Sequence, residues 1–349
     1  MSQGTKETIT ISLDAMGGDN APLSEVAGAV ETVRETDGIN VVLVGQKEKI
    51  EPELKKHSFD SSKIKIHDAS EVIGMHESPT EAIKKKQDSS LVIGLRLHKE
   101  KSADAFISAG NTGAVMAASL FTLGRIANVS RPTIGSRFPT ERGITIVFDV
   151  GANVDCKPVN LLEFAVMGSV YASHIFGLDN PTVGLLSVGE EKTKGDLLTT
   201  EAYELLERSG LNFTGNVEGR DILRGKVNVV VCDGFVGNVI LKFAEGVLGI
   251  LRTKFRDYAE KSFFNKVKVG LARGTMRGVM KDFDYQEYGG VPLLGVNGVS
   301  IIGHGRSSPK AFKNMILRAE QMVRAKINKI IESKIKDIKE FVPRTAEQF

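Results

Sequence analysis

Six segments of this 349-residue chain place Gly, Asn, Ser and Asp, with a few Lys and one His, directly after an apolar run. They are LDAMGGDNAP (13–22), ISAGNTGA (107–114), DVGANVDCKP (149–158), SVGEEKTKG (187–195), CDGFVGN (232–238) and IGHGRSSP (302–309). Glycine lets backbone N–H groups converge, and a helix that starts just after such a loop adds partial positive charge. Loops of this kind suit an anion. The donors are Asn111 and Thr112 between Gly110 and Gly113, then Asn153, Lys192, Lys194, Asn238, His304 and Ser307. Asp14 and Asp19 flank Gly17 and Gly18, and Glu190 and Asp233 complete the polar set. Such groups can hold phosphate and stabilise a developing oxyanion. HExxH, CxxC, GxSxG and the Walker pattern are missing, as is GxGxxG after the first strand. Zinc hydrolysis, serine-elbow hydrolysis and P-loop phosphoryl transfer are therefore poorly supported, and neither a metal nor a cofactor is expected.

Each residue also has an architectural reading. Asn111 with Thr112 is either a phosphate cradle or a helix N-cap. Lys192 and Lys194 either reach an anion or are solvated. His304, in Gly-His-Gly after a buried run, is the histidine best placed for chemistry; His57, His67, His76, His98 and His174 read as surface or core residues. Cys232 ends a VVVC run and reads as a small buried hydrophobe. Cys156 lies in a polar loop with no evident partner base.

These loops need a scaffold of strands and helices in alternation. TITISL (8–13), NVVLVG (40–45), IKIH (64–67), ADAFIS (103–108), ITIVFDV (144–150), TVGLLSV (182–188), VNVVVC (227–232) and VSIIG (299–303) read as strands. Helical spacing covers 111–124, 158–176, 197–209, 236–261 and 309–341, and Ser78-Pro79-Thr80-Glu81 reads as a capping box. The fold class is α/β, a mostly parallel sheet with helices on both faces, in one domain over 8–341 that is either compact or two-lobed. Residues 1–7 and 342–349 are expected to be tails. In such a sheet the loops beyond the strand ends meet at one edge, where ligands bind.

Composition narrows the class further. Two Cys exclude a disulfide scaffold and make a reducing cytosol the default compartment. No apolar run of about 20 residues stands out, and MSQGTKETIT lacks a signal-peptide core. A net charge of +3 is too small for a general nucleic-acid binder. The basic excess is local: 251–281 holds nine Lys/Arg against Asp257 and Glu260, with Leu251, Phe255, Phe263 and Phe264 interleaved. A basic helical arm is expected over about 251–290. It suits a membrane surface, an acidic partner or a dimer contact.

DAMGGD-x-AP, SAGNTGA, DVGAN-VDCKP, GLL-x-VGEE-x-x-KG, GNVEG-x-D, VVCDGF-x-GN-x-x-LK and LLG-x-NG-x-x-IIGHG occur in that order between about residues 9 and 335. Together they resemble the PlsX-type phosphate acyltransferases. Ser187 departs from the pattern, standing where an amide is commoner. The resemblance implies an isopropylmalate-dehydrogenase-like fold, a homodimer, and acyl transfer from acyl carrier protein to inorganic phosphate, giving acyl phosphate for phospholipid synthesis. It also implies a cytoplasmic enzyme peripherally attached to the membrane, where a membrane acyltransferase takes the product. In that setting phosphate is expected on Gly110–Gly113 with Lys192 or Lys194, and Asn238 or His304 as the carbonyl-oxygen donor. Lys194 and Asp233 join the catalytic set. The alternatives are a short-chain phosphotransacetylase using coenzyme A thioesters, a dehydrogenase of the shared fold, and a non-catalytic membrane scaffold.

Overall fold

A computed structural model describes residues 8–341; the tails expected at 1–7 and 342–349 lie outside the described residues. The apolar runs become β1 (Ile9–Asp14), β2 (Ile39–Gly45), β3 (Ile64–Asp68) and β4 (Ala105–Ser108). Between and after them lie α1 (Leu23–Glu35), α2 (Lys47–Leu54), α3 (Pro79–Lys85), α4 (Ser90–Lys99) and α5 (Thr112–Leu123). The middle of the chain gives β5 (Thr133–Thr140), β6 (Gly143–Phe148), α6 (Pro158–Phe176), β7 (Val183–Leu186), α7 (Leu197–Glu207), β8 (Phe213–Val217), α8 (Gly219–Arg224) and β9 (Val229–Val231). Then come α9 (Gly234–Glu260), α10 (Phe263–Met280), two 3₁₀ turns over 281–287, β10 (Val291–Leu294), β11 (Val299–Ile302), α11 (Pro309–Arg324) and α12 (Ile327–Phe341).

One sheet runs in the order β3-β2-β1-β4-β11-β10-β5-β6-β9-β7-β8. Seven of its ten pairings are parallel. The three antiparallel pairings, β11–β10, β10–β5 and β5–β6, all sit in the middle. The half-sheet β3-β2-β1-β4-β11 therefore runs opposite to β6-β9-β7-β8. The expected single edge, with all six loops on it, is not what the chain builds. Three loops follow strands of one half-sheet and three follow strands of the other. Sheet twist works against this opposition. An average twist of about 20–25° per strand acts over the six steps from β1 to β9.

The reversal was hidden because β5 and β10 carry weak signals, and the parallel edge strand β8 went unread for the same reason. β5 (TIGSRFPT) contains Arg137 and Pro139, β8 contains Gly215 at φ +95°, and β10 has Pro292 in four residues. Two helical expectations also change. The helix expected over 309–341 breaks at Lys326, which has φ +52°, into α11 and α12. Ser78 is the N-cap of α3 but makes no side-chain cap bond, while Glu81 pairs with Lys85 at 3.3 Å instead.

Two large apolar clusters lie within the fold. One gathers β1, β2, α1, α6, α11 and α12; a β carbon on Gly28 would lie 2.5 Å from Phe312 Cβ, so α1 and α11 cross at that glycine. The other holds Ala114 and Val115 at the start of α5 together with Val150 and Cys232, with Ala152 and Ile240 packed against it. Both groups of loops thus border one apolar cluster. α6 and α9 are long and apolar enough by length and composition to cross a membrane, contrary to the expectation that no such run exists; Gly and Ala dilute the apolar signal, yet few charges interrupt it. Burial separates them: 72% of the apolar stretch of α6 is inside the protein, but only 11% of that of α9. The arm is the α9–α10 hairpin, longer than the 251–290 expected.

Candidate active site

Asp14 ends β1 and is buried. It accepts from Ser108 Oγ at 2.7 Å and Met16 N–H at 3.1 Å, and Ser108 Oγ accepts from Gly110 N–H at 3.0 Å. A β carbon on Gly17 would lie 2.6 Å from Asp14 Oδ2 and 2.8 Å from the Gly110 nitrogen, so the approach of these two loops requires glycine. Asp19 N–H donates to Gly305 O at 2.7 Å, tying in the loop after β11. Three of the six loops are therefore bonded into one group.

Asn111 is the N-cap of α5. Its Oδ1 accepts from Ala114 N–H at 3.1 Å, and its Nδ2 donates to Met75 O at 3.1 Å and Glu77 O at 3.0 Å. The amide is spent on architecture, which corrects its expected role as a phosphate-binding side chain. What stays unsatisfied is the pair of first-turn N–H groups of Thr112 and Gly113. His304 Nδ1 accepts from Arg306 N–H at 3.1 Å, placing the proton of a neutral imidazole on Nε2. Ser307 is buried and donates from N–H (2.8 Å) and Oγ (2.6 Å) to His304 O, so it shapes that turn.

The second group is organised by Asp149, which the sequence reading did not single out. Buried just past β6, it accepts from Gly151 N–H at 3.1 Å, Ala152 N–H at 2.9 Å and Asn153 Nδ2 at 2.6 Å. A signal was present: Asp149 stands in FDVGAN as Asp14 does in LDAMGG, one carboxylate between a strand and glycine. Asn153 also donates to Pro132 O at 2.7 Å, and its carbonyl accepts from Gly234 N–H at 2.7 Å. Its amide is therefore structural. Asp233 is the N-cap of α9, with Oδ1 accepting from Phe235 N–H at 2.9 Å and Val236 N–H at 3.1 Å. Its Oδ1 is committed to the cap, which accounts for Asp233 at this position without a catalytic role. A β carbon on Gly237 would fall 1.8 Å from Asp149 O, so α9 starts hard against this loop. One residue further on, the exposed Asn238 side chain lies over Gly151, about 3.4 Å from that glycine's β-carbon position, and its amide makes no hydrogen bond to the described residues.

The loop after β7 separates the two lysines. Lys192 Nζ pairs with Glu207 at 2.6 Å and lies 5.1 Å from the Tyr203 ring centroid, so its charge is engaged away from a ligand, contrary to its expected phosphate role. Glu190 pairs with Lys226 at 2.9 Å. Lys194 folds its side chain over Gly189, and no described carboxylate lies within ion-pairing distance of its ammonium. Ser187 Oγ donates to Lys194 O at 3.0 Å, closing the loop that carries this lysine.

Desolvation dominates the electrostatics. Burial raises the Asp14 and Asp149 carboxyls above the usual range, against the hydrogen bonds that lower them. Glu25, in the first turn of α1, is pushed up to about 8 by burial, with the nearby Asp14 charge adding to the rise. No hydrogen bond of good geometry reaches either Glu25 oxygen, although the Gly18 and Glu25 N–H groups lie close enough to offset a little of that cost. Burial raises Cys156 to about 11 and Cys232 well above the normal thiol range, so both stay protonated at neutral pH. Among the described residues, no cluster of three or more His, Cys, Asp or Glu is placed to hold a metal.

Residues 9–330 match the family model described as "Fatty acid synthesis protein". A phosphate acyltransferase of Geotalea daltonii is 49% identical over 327 residues, covering 94% of both chains, and one of Heliobacterium modesticaldum is 52% identical over 314 residues, covering 90% of this chain and 93% of the other. The chain belongs to the phosphate acyltransferase family. Among solved structures, a phosphotransacetylase from Streptococcus pyogenes aligns with TM-score 0.60 at 18% identity, covering 91% of this chain and 94% of that one. One from Staphylococcus aureus aligns with TM-score 0.59 at 17% identity, covering 90% and 94%. These two show the shared α/β fold.

Two outcomes follow from the buried groups. The folded chain keeps the Glu25 proton to about pH 8, whereas an unfolded chain releases it near 4.5, so folding is penalised progressively as pH rises between those values. Glu25→Gln should match wild type below pH 4.5 and become more stable toward pH 8, by a ceiling of about 4–5 kcal/mol. Urea midpoints across that range test this, and an advantage independent of pH would refute it. A Cys156→Ala/Cys232→Ala double variant should keep most of its activity because neither thiol ionises. A folded but inactive double variant would point to an acyl-cysteine intermediate.

Proposed function

We propose that this enzyme transfers a long-chain acyl group from acyl carrier protein to inorganic phosphate. The observation that carries this reading is which donors are left once the loops have been built. Among the described residues Lys194, the Asn238 amide and the first-turn N–H groups of Thr112 and Gly113 are uncommitted, whereas Asn111, Asn153 and Lys192 are engaged and Asp233 caps α9 through Oδ1. Phosphate near neutral pH is already an anionic nucleophile, and a thiol leaving group needs no strong acid. One phosphate oxygen attacks the thioester carbonyl, the C–O bond forms, and the C–S bond breaks. Sulfur leaves with the electron pair and takes up a proton. Holding the reactants and stabilising the oxyanion are the tasks left for the protein. Phosphate rests on the α5 N-terminus with Lys194, and Asn238 or His304 Nε2 donates to the carbonyl oxygen.

The apolar surroundings support a fatty substrate. Val154, Val188, Phe235 and Val239 stand exposed beside Asn153, Ser187, Gly234 and Asn238. Isolated exposed apolar residues need no explanation, but a set flanking every polar loop of one group does. The arm extends this surface: Phe243, Phe263, Phe264 and Leu271 are each more than 70% exposed among the arm's cations. Two copies packed through α9 would cover part of that face, and the cationic apolar tip would rest on an anionic membrane, delivering acyl phosphate to a membrane acyltransferase.

Incubating the protein with long-chain acyl carrier protein and phosphate should yield acyl phosphate by mass spectrometry. Lys194→Met should lower kcat/KM about 10²–10³-fold, while Lys192→Met stays near wild type. The opposite ranking would exchange the roles of the two lysines, and no acyl phosphate would end the assignment. Sedimentation should show binding to anionic vesicles and little to neutral ones; no binding to either excludes the membrane role of the arm.

A further inference from the structure

A second group of uncommitted donors lies on the opposite face of the sheet, at the root of the arm. Phe138 of β5 belongs to the cluster beneath the strand-end loops, so its neighbour Arg137 points the other way. There the Arg137 guanidinium carbon lies 3.7 Å from the centroid of the Tyr288 ring and 5.8 Å from that of Phe176, at the end of α6. Arg318 of α11 approaches the same Phe176 ring, at 4.8 Å. Tyr171 meets Phe176 edge-on at 5.6 Å, and the Tyr288 hydroxyl donates to Asp282 O. Cation–π contacts thus hold two like charges against one aromatic cluster.

Among the described residues no carboxylate forms an ion pair with either guanidinium, although Asp282 lies near enough to favour the Arg137 charge. An arginine offers five N–H donors, yet Arg137 makes no side-chain hydrogen bond to the described residues. Arg318 makes one, from Nη1 to Gln321 Oε1 at 3.0 Å. The Nε atoms of both are buried without a partner. Glu287 is paired with Lys310, and Asp282 forms no ion pair with Arg137. Buried charged donors left unmade are costly, which makes a missing acceptor the economical explanation. The two forks come from different elements. A planar carboxylate satisfies one fork, whereas a tetrahedral group with three or four oxygens can serve both.

We propose that Arg137 and Arg318 form a second anion site, distinct from the strand-end loops, that takes a phosphate group. The ligand is inorganic phosphate or the phosphomonoester headgroup of a lipid reached by the adjoining arm. This site does not depend on the catalytic reading above.

Equilibrium dialysis of the full chain with radiolabelled inorganic phosphate should find two sites per chain. Arg137→Gln and Arg318→Gln should each weaken one of them at least about tenfold. Lys194→Met should weaken the other, so failure of one site is separable from failure of the other. Co-sedimentation with phosphatidic acid against phosphatidylcholine vesicles forms the second arm. A loss in the arginine variants confined to vesicles identifies the lipid headgroup, and a loss in dialysis identifies free phosphate. Circular dichroism checks the fold of each variant; should Arg137→Gln unfold, Arg318→Gln carries the test. If a folded arginine variant behaves like wild type in both arms, the proposal is wrong.

Discussion

Two buried carboxylates, Asp14 and Asp149, organise everything around the candidate site. Each stands where a strand gives way to a glycine loop, and burial raises each carboxyl above its usual range. Their oxygens are held by loop groups: Ser108 Oγ and Met16 N–H for Asp14, and Gly151, Ala152 and Asn153 for Asp149. A buried carboxyl without such partners would cost several kcal/mol, so the loops must close around it. That closure explains why glycine is required where loop backbones nearly touch, at Gly17 against Gly110 and at Gly237 against Asp149.

The same closure separates side chains that build the site from those left to act. Asn111, Asn153, Asp233 and Ser307 are polar and well placed in sequence, yet their hydrogen bonds run to backbone groups and, for Asn153, to Asp149 as well. The second half-sheet keeps Lys194 and Asn238, and the first contributes a helix N-terminus. Phosphate and thioester chemistry needs positioned donors more than a strong base, and this division supplies them.

The central strands β10 and β5 govern how the two halves meet. Each runs antiparallel to both of its neighbours, so they couple two parallel half-sheets of opposite direction while keeping one hydrogen-bonded ladder. The face opposite the loops is anchored by α6 and α11, and there Arg137 and Arg318 crowd one aromatic cluster. The arm leaves the fold between these regions, with one end at the Asp149 group through α9 and the other near Tyr288.

Local chemistry was legible from residue types alone. Gly after an apolar run marked every site loop, α6 was read to the residue because its spacing and flanking Pro158 and Gly177 are unambiguous, and the ordered motifs pointed to the family. Direction and commitment were not legible. β5 and β10 are short or carry Pro and Arg, so their antiparallel pairing is enforced by neighbours rather than by their own pattern. Lys192 and Lys194 look alike in SVGEEKTKG; only the packing of α7 places Glu207 against the first and leaves the second without an ion pair among the described residues. A hydrogen bond depends on where both partners lie, and for residues far apart in the chain that is decided by tertiary structure.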